Sequence, residues 1–146
     1  MINMGKIHMN KRMEVVKMNY IYKSAVCSDL ENIRSFIDRT IKTLNCVISN
    51  KDILFDIKVI LNELIVNGAL HGNECMKEKC VNLTIILNDN KLTIEVEDEG
   101  KGISYDFDEY NPFEFKSWGR GLVLVKGLSD EFRVEKNRAI SIKKLC

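Results

Sequence analysis

Glu63-Leu-Ile-Val-Asn67 sets a carboxylate and an amide four residues apart, with His71 four further on. On a helix that spacing puts all three on one face. Asn67 offers a neutral oxygen of the kind that a magnesium ion accepts beside phosphate oxygens and water. Glu63 is then placed to orient or deprotonate an attacking hydroxyl. The competing reading is an ordinary exposed polar stripe. Asp98-Glu-Gly-Lys-Gly102 follows an apolar alternation that reads as a strand. A carboxylate held at a strand end can accept a hydrogen bond from the exocyclic amine of adenine and would repel the carbonyl that guanine carries there. Gly100 and Gly102 let the backbone turn sharply and approach a ligand, although an acidic turn closing a strand has the same sequence. Gly119-Arg-Gly121-Leu122 reads as a loop opening into a helix, with free N–H groups suited to phosphate. Arg120 is either a phosphate or partner contact or a solvated surface arginine.

These groups sit far apart in the chain, so separate elements must bring them together. Residues 14–26 are rich in β-branched and aromatic side chains and predict an edge strand. Ser28-Asp-Leu-Glu31 has the form of a capping box with Ser28 at the N-cap. It would start a helix with an apolar stripe of Leu30, Ile33, Ile37, Ile41 and Leu44. A second helix is predicted over 52–70, with Gly72 as its C-terminal signal. Its apolar side carries Ile53, Ile57, Ile60, Leu61, Leu64 and Ile65. Strands over 81–87 and 92–96 are joined by the turn Asn88-Asp-Asn90. Residues 103–118 hold the only proline, Pro112, lack periodicity, and read as a lid-like loop between Gly102 and Gly119. In it, Phe113 and Trp118 either meet a partner or pack the loop down. A short helix over 122–128 and a hairpin of strands 132–135 and 139–142 complete the order. That order predicts an α+β, two-layer α/β sandwich, with helices on one face of a mixed, mostly antiparallel sheet.

The 146 residues fit one domain, 14–146, preceded by a mobile tail over 1–13 that holds most of the methionines. A net charge of +1 gives no electrostatic case for nucleic acid or an anionic membrane. No apolar run approaches the ~20 residues that span a bilayer, and the N-terminus has no signal-peptide core. Five cysteines without a CxxC pair read as reduced thiols. Together these features predict a soluble, cytoplasmic protein. His71, Cys75 and Cys80 match no usual zinc spacing. His8 belongs to no helical hairpin that would serve as a phosphoacceptor.

The ordered set of three motifs resembles the Bergerat-fold ATPases, the superfamily of histidine-kinase catalytic domains, gyrase B and MutL, over nearly the whole chain. Within it the sequence is most similar to the small bacterial anti-sigma factor serine/threonine kinases, on Asn-Gly-Ala-Leu-His71-Gly and Gly-Arg-Gly-Leu-Val-Leu-Val-Lys126. The resemblance implies ATP and Mg2+ as cofactors, Glu63 as the catalytic base and Asn67 as the metal ligand. It implies nucleotide contacts at Asn67, His71, Asp98, Gly100, Gly102, Gly119, Arg120, Gly121 and Leu122. It further implies phosphorylation of a serine on an anti-anti-sigma protein, binding of a sigma factor, and a homodimer. Two other classes remain open: a non-catalytic, ATP-gated binding module and a fold relic that binds protein without nucleotide. Two positions depart from the family pattern. Gly68 stands where alanine is usual, and Asn137-Arg-Ala139 replaces a Gly-Thr whose hydroxyl joins the adenine contact.

Overall fold

The computed structural model of the protein describes residues 19–102 and 117–145. Strand β1 (Asn19–Cys27) leads into helix α1 (Leu30–Leu44), then α2 (Lys51–Asn67), which runs directly into a wide helical turn, Gly68–Gly72. Strands β2 (Cys80–Asn88) and β3 (Lys91–Glu97), helix α3 (Ser117–Leu128), β4 (Glu131–Glu135) and β5 (Arg138–Lys144) follow. The strands form one sheet in the order β1-β2-β3-β5-β4, and every pairing among the described residues is antiparallel. The expected two-layer α+β sandwich is therefore present, with β1 on an edge. The predicted tail over 1–13 and residues 103–116 of the lid predicted over 103–118 lie outside the described residues, and the lid's last two residues, Ser117 and Trp118, instead begin α3.

Alternation along the strands decides which face carries the helices. Tyr20 and Val26 on β1, Val81, Leu83, Ile85 and Leu87 on β2, and Leu92, Ile94 and Val96 on β3 are all buried. Against them pack Ile33, Phe36 and Ile37 of α1 and Ile57, Ile60, Leu61, Leu64 and Ile65 of α2. Helix α2 lies between α1 and α3, while α1 touches β1 and α3 touches β4 and β5. Two polar links fix α3 to the sheet and to α2. Ser129 Oγ donates to the Val125 carbonyl and meets Ser141 Oγ, each at 2.6 Å. Lys143 Nζ donates to the Leu128 carbonyl at 2.9 Å and lies 3.3 Å from Asp56 of α2, setting a cation where a helix end is negative.

Local chemistry corrects several expected boundaries. Asp29, not Ser28, caps α1: its carboxylate accepts the Glu31 N–H at 3.0 Å. The Ser28 hydroxyl is engaged elsewhere, donating to the Lys79 carbonyl and accepting from Asn73 Nδ2. Leu30 was expected in the apolar stripe but is 55% exposed, because it sits at the helix start beyond the sheet. Asn50 caps α2 through the N–H groups of Asp52 and Ile53. That helix ends at Asn67 rather than at 70, because the chain widens so that the Asn73 N–H reaches the Gly68 carbonyl, at 2.7 Å. Helix α3 starts at Ser117, five residues before the expected 122, so Gly119 and Gly121 lie inside it. No helix among the described residues is long and apolar enough to cross a membrane.

Candidate functional site

Glu63 and Asn67 end α2 one turn apart, both half-buried. The expected third member of their stripe, His71, does not continue it. It lies on the wide turn after α2 and is exposed, although it still lines the same cavity as Asn67. A wide turn of this kind is rare and recurs at functional sites. Its effect is to carry the chain from the helix to the exit of β3 without a loop, so that Gly72 and Gly100 meet Asp98.

That meeting explains the glycines. A Cβ on Gly72 would fall on the Asp98 carboxylate, and one on Gly100 would fall on the Gly72 carbonyl. Gly102 has φ +86°, and a Cβ there would strike the Lys136 backbone. Gly72 was read only as a helix stop; its role is contact.

Asp98 is held from three sides. Its N–H donates to the Asn137 carbonyl at 3.0 Å, and its own carbonyl accepts from Asn137 Nδ2. Its Oδ1 accepts the Gly100 N–H at 2.7 Å. Burial pushes the carboxyl above the ordinary aspartate range; the Gly100 N–H bond opposes this, Glu97 adds to it and Lys79 opposes it. A desolvated carboxylate on the cavity wall is suited to an N–H donor on a ligand.

Asp98, Gly100, Gly102, Asn67, His71 and Leu122 all line one cavity of about 500 Å³. Leu64, Val96, Val134 and Ala139 supply apolar walls, and Lys79, Lys101, Lys136 and Arg138 supply positive charge. That volume and mixture suit a small organic ligand with an anionic part. Asn67 Nδ2 is buried and has no hydrogen-bond partner among the described residues, an unmet group of the sort a bound ligand satisfies. The residues present therefore fit a nucleotide with its magnesium ion.

Glu63 is not on the cavity wall. A Cβ on Gly121 would collide with Glu63 Oε2, so the carboxylate lies directly under the backbone of α3. Gly121 thus acts by letting α3 close over Glu63 rather than by opening a helix. The N–H groups without an intrahelical partner at the start of α3 belong to residues 117–120, which include Gly119 and Arg120.

Three residues of the site went unread in the sequence. Asn73 is fully buried: its Oδ1 accepts the Glu99 N–H at 2.7 Å, and its Nδ2 donates to Ser28 Oγ at 3.0 Å and to the Cys80 carbonyl at 2.9 Å. Asn137 grips Asp98, and Lys79 adds charge beside it. Their partners lie up to dozens of residues away, and no local spacing encodes them. The unusual sequence Asn137-Arg-Ala139 was the one visible signal. Ala139 lines the cavity, while Asn137 holds the Asp98 backbone.

The chain is 30% identical to the anti-sigma F factor of Clostridium perfringens (strain SM101 / Type A) over 96 residues, 61% of this chain and 69% of that protein. It is 29% identical to the anti-sigma F factor of Clostridium acetobutylicum over 93 residues, 60% of this chain and 64% of that protein. It is 34% identical to the anti-sigma F factor of Thermoanaerobacter sp. (strain X514) over 85 residues, 55% of this chain and 59% of that protein. The aligned part thus spans 59% to 69% of these relatives' own lengths. The family profile described as the histidine kinase-like ATPase domain matches residues 26–143. With the antiparallel sheet, the three helices on one face and the cavity between α2, α3 and the β3 exit, the chain belongs to the histidine kinase-like ATPase domain family.

Proposed function

We propose that the protein is an ATP-dependent serine/threonine kinase of the anti-sigma type, working in the cytoplasm. It would phosphorylate an anti-anti-sigma partner and sequester a sigma factor, as a homodimer. The observation that carries the reading is the convergence of Asn67, Asp98 and the paired glycines Gly72 and Gly100 on one cavity, with Glu63 one helical turn from Asn67. The names of the relatives support the sigma-factor connection. In this mechanism Asp98 accepts the exocyclic N–H of the base, and its fixed backbone sets the angle of approach. Asn67 would hold Mg2+, which would supply charge neutralisation on the phosphates when bound. The N–H groups at the start of α3 receive phosphate oxygens. Glu63 takes the proton of the attacking serine or threonine hydroxyl at a carboxylate oxygen. Because that oxygen now abuts Gly121, the Glu63 side chain must turn or α3 must shift to admit the hydroxyl.

The position of Glu63 under the α3 backbone favours a second reading, a non-catalytic module in which nucleotide only gates partner binding. Phosphotransfer to a purified candidate partner separates the two readings. Glu63→Gln should retain Mg-ATP binding and lose ~10²–10⁴ in rate, the usual scale of general-base assistance. A wild-type protein that binds Mg-ATP yet transfers no phosphate to any candidate partner would favour the module.

A further inference from the structure

Four cysteines are described, and two of them face each other. Cys27 ends β1 and Cys80 begins β2, and the register sets them directly opposite. Just beyond them the Ser28 N–H donates to the Lys79 carbonyl at 3.2 Å. Hydrogen-bonded and non-bonded pairs alternate along an antiparallel ladder, so Cys27 and Cys80 form a non-bonded pair. The Cα atoms of such a pair stand about 4.5 Å apart, closer than those of a bonded pair. Cys80 agrees with this assignment: its N–H donates to the Glu99 carboxylate and its carbonyl accepts from Asn73 Nδ2, both away from β1. The separation falls at the near end of the ~4.4–6.8 Å over which a disulfide closes. The next pair inward, Val26 and Val81, is buried beneath the helices, so alternation turns both cysteines to the opposite, helix-free face. Cys27 is exposed and Cys80 half-buried, which lets a small oxidant reach them. Neither residue belongs to the nucleotide site.

We propose that Cys27 and Cys80 are a thiol–disulfide site, a reversible clasp across the edge strand that stiffens the strand end beneath Asp98. The oxidant is a low-molecular-weight disulfide. The Cys27 thiolate attacks one of its sulfurs, breaking that S–S bond and releasing one small thiolate. The Cys80 thiolate then attacks the Cys27 sulfur of the mixed disulfide and releases the second. Two electrons pass from the protein sulfurs to the oxidant, and the two protons lost by the cysteines end on the two released thiols. The clasp reaches the site through named bonds. Cys80 holds Asn73 and Glu99 by its backbone, Asn73 holds the Glu99 N–H, and Glu99 adjoins Asp98.

The test uses the folded full chain treated with glutathione disulfide, then alkylated and digested without reduction. Mass spectrometry should find one cross-linked peptide pair, Cys27 with Cys80, cleaved by dithiothreitol, with Cys46, Cys75 and Cys146 alkylated. Oxidation should raise the melting temperature and slow amide exchange at Cys80 and Glu99. Cys27→Ser should abolish the cross-link and both effects. Separate alkylation or glutathionylation of Cys27 and Cys80 would overturn the proposal, as would a cross-link formed equally with the other cysteines or only in denaturant. A cross-link that leaves exchange at Glu99 unchanged would overturn the coupling to the site.

Discussion

Asp98 holds a charge in a place that disfavours it. Burial raises its carboxyl above the ordinary value of 3.8, and the Gly100 N–H only partly offsets this. A carboxyl with a raised folded value binds its proton more tightly folded than unfolded. Its contribution to stability is complete below the unfolded value and is lost as pH rises through the folded one. Asp98→Asn keeps an oxygen for the Gly100 N–H and carries no charge. The variant should therefore gain stability relative to wild type as pH rises from about 3.8 upward, with urea midpoints across that range as the measurement. An asparagine can also turn its amide to donate to a carbonyl. Calorimetry should show wild type preferring Mg-ATP to Mg-GTP and the variant losing much of that preference. Equal binding of both nucleotides by the wild type would remove Asp98 from base selection. A gain in stability bought by a loss of selectivity is the pattern of a residue kept for binding.

At the scale of elements, the site depends on two contacts across element boundaries. Gly121 lies within α3, where alanine is ordinarily favoured by roughly 1 kcal/mol. The atom that a Cβ would meet is the far end of the flexible Glu63 side chain, which can swing aside. Gly121→Ala should fold at least as stably as wild type and bind Mg-ATP, yet turn over more slowly because Glu63 is displaced. Parallel melting curves, calorimetry and phosphotransfer assays would separate these effects, and an unchanged rate would show that the Glu63 position is immaterial. Asn73 is the other contact, joining the turn after α2 to β2, the β3 exit and the start of α1. Asn73→Ala leaves the Glu99 N–H and the Cys80 carbonyl without their partner, a loss of about 1–3 kcal/mol. Urea unfolding should report that loss, and nucleotide binding should weaken as the Asp98 loop loosens. The sequence made Glu63, Asn67, Asp98, Gly100 and the strand-helix order legible, since each follows from local periodicity or from a motif. It could not reveal Asn73 or the contact of Gly72 with Asp98. Both arise because α2 widens over Gly68–Gly72, a change of helical pitch that reads locally as a simple stop.

Across the whole molecule, the cavity draws its walls from α2 and the turn after it, the β3 exit, the β4–β5 turn and α3. These elements share one hydrophobic core: Leu64 of α2, Val96 of β3 and Leu122 of α3 are buried in it as well as lining the cavity. A ligand seated there touches all of these elements and needs them together, so its binding energy opposes global unfolding. Mass action gives about 2.7 kcal/mol of added stability at a free ligand concentration 100-fold above Kd. For a domain of this size that corresponds to a rise of roughly 5–10 °C in melting temperature. We expect one cooperative transition that moves upward with Mg-ATP, moves less with Mg-GTP at equal concentration, and loses this distinction in Asp98→Asn. Asn67→Ala should reduce the shift and its dependence on magnesium, because it removes the amide oxygen assigned to the metal. Chelating magnesium with EDTA should lower the wild-type shift toward that of the variant. A melting temperature insensitive to nucleotide at millimolar concentration would favour a protein that kept the fold without the ligand. A shift equal for ATP and GTP would keep the nucleotide site but deny Asp98 its selecting role. The two failures are distinguishable in one experiment because the proposed mechanism draws phosphate and metal contacts from α2 and α3 and the base contact from the β3 exit.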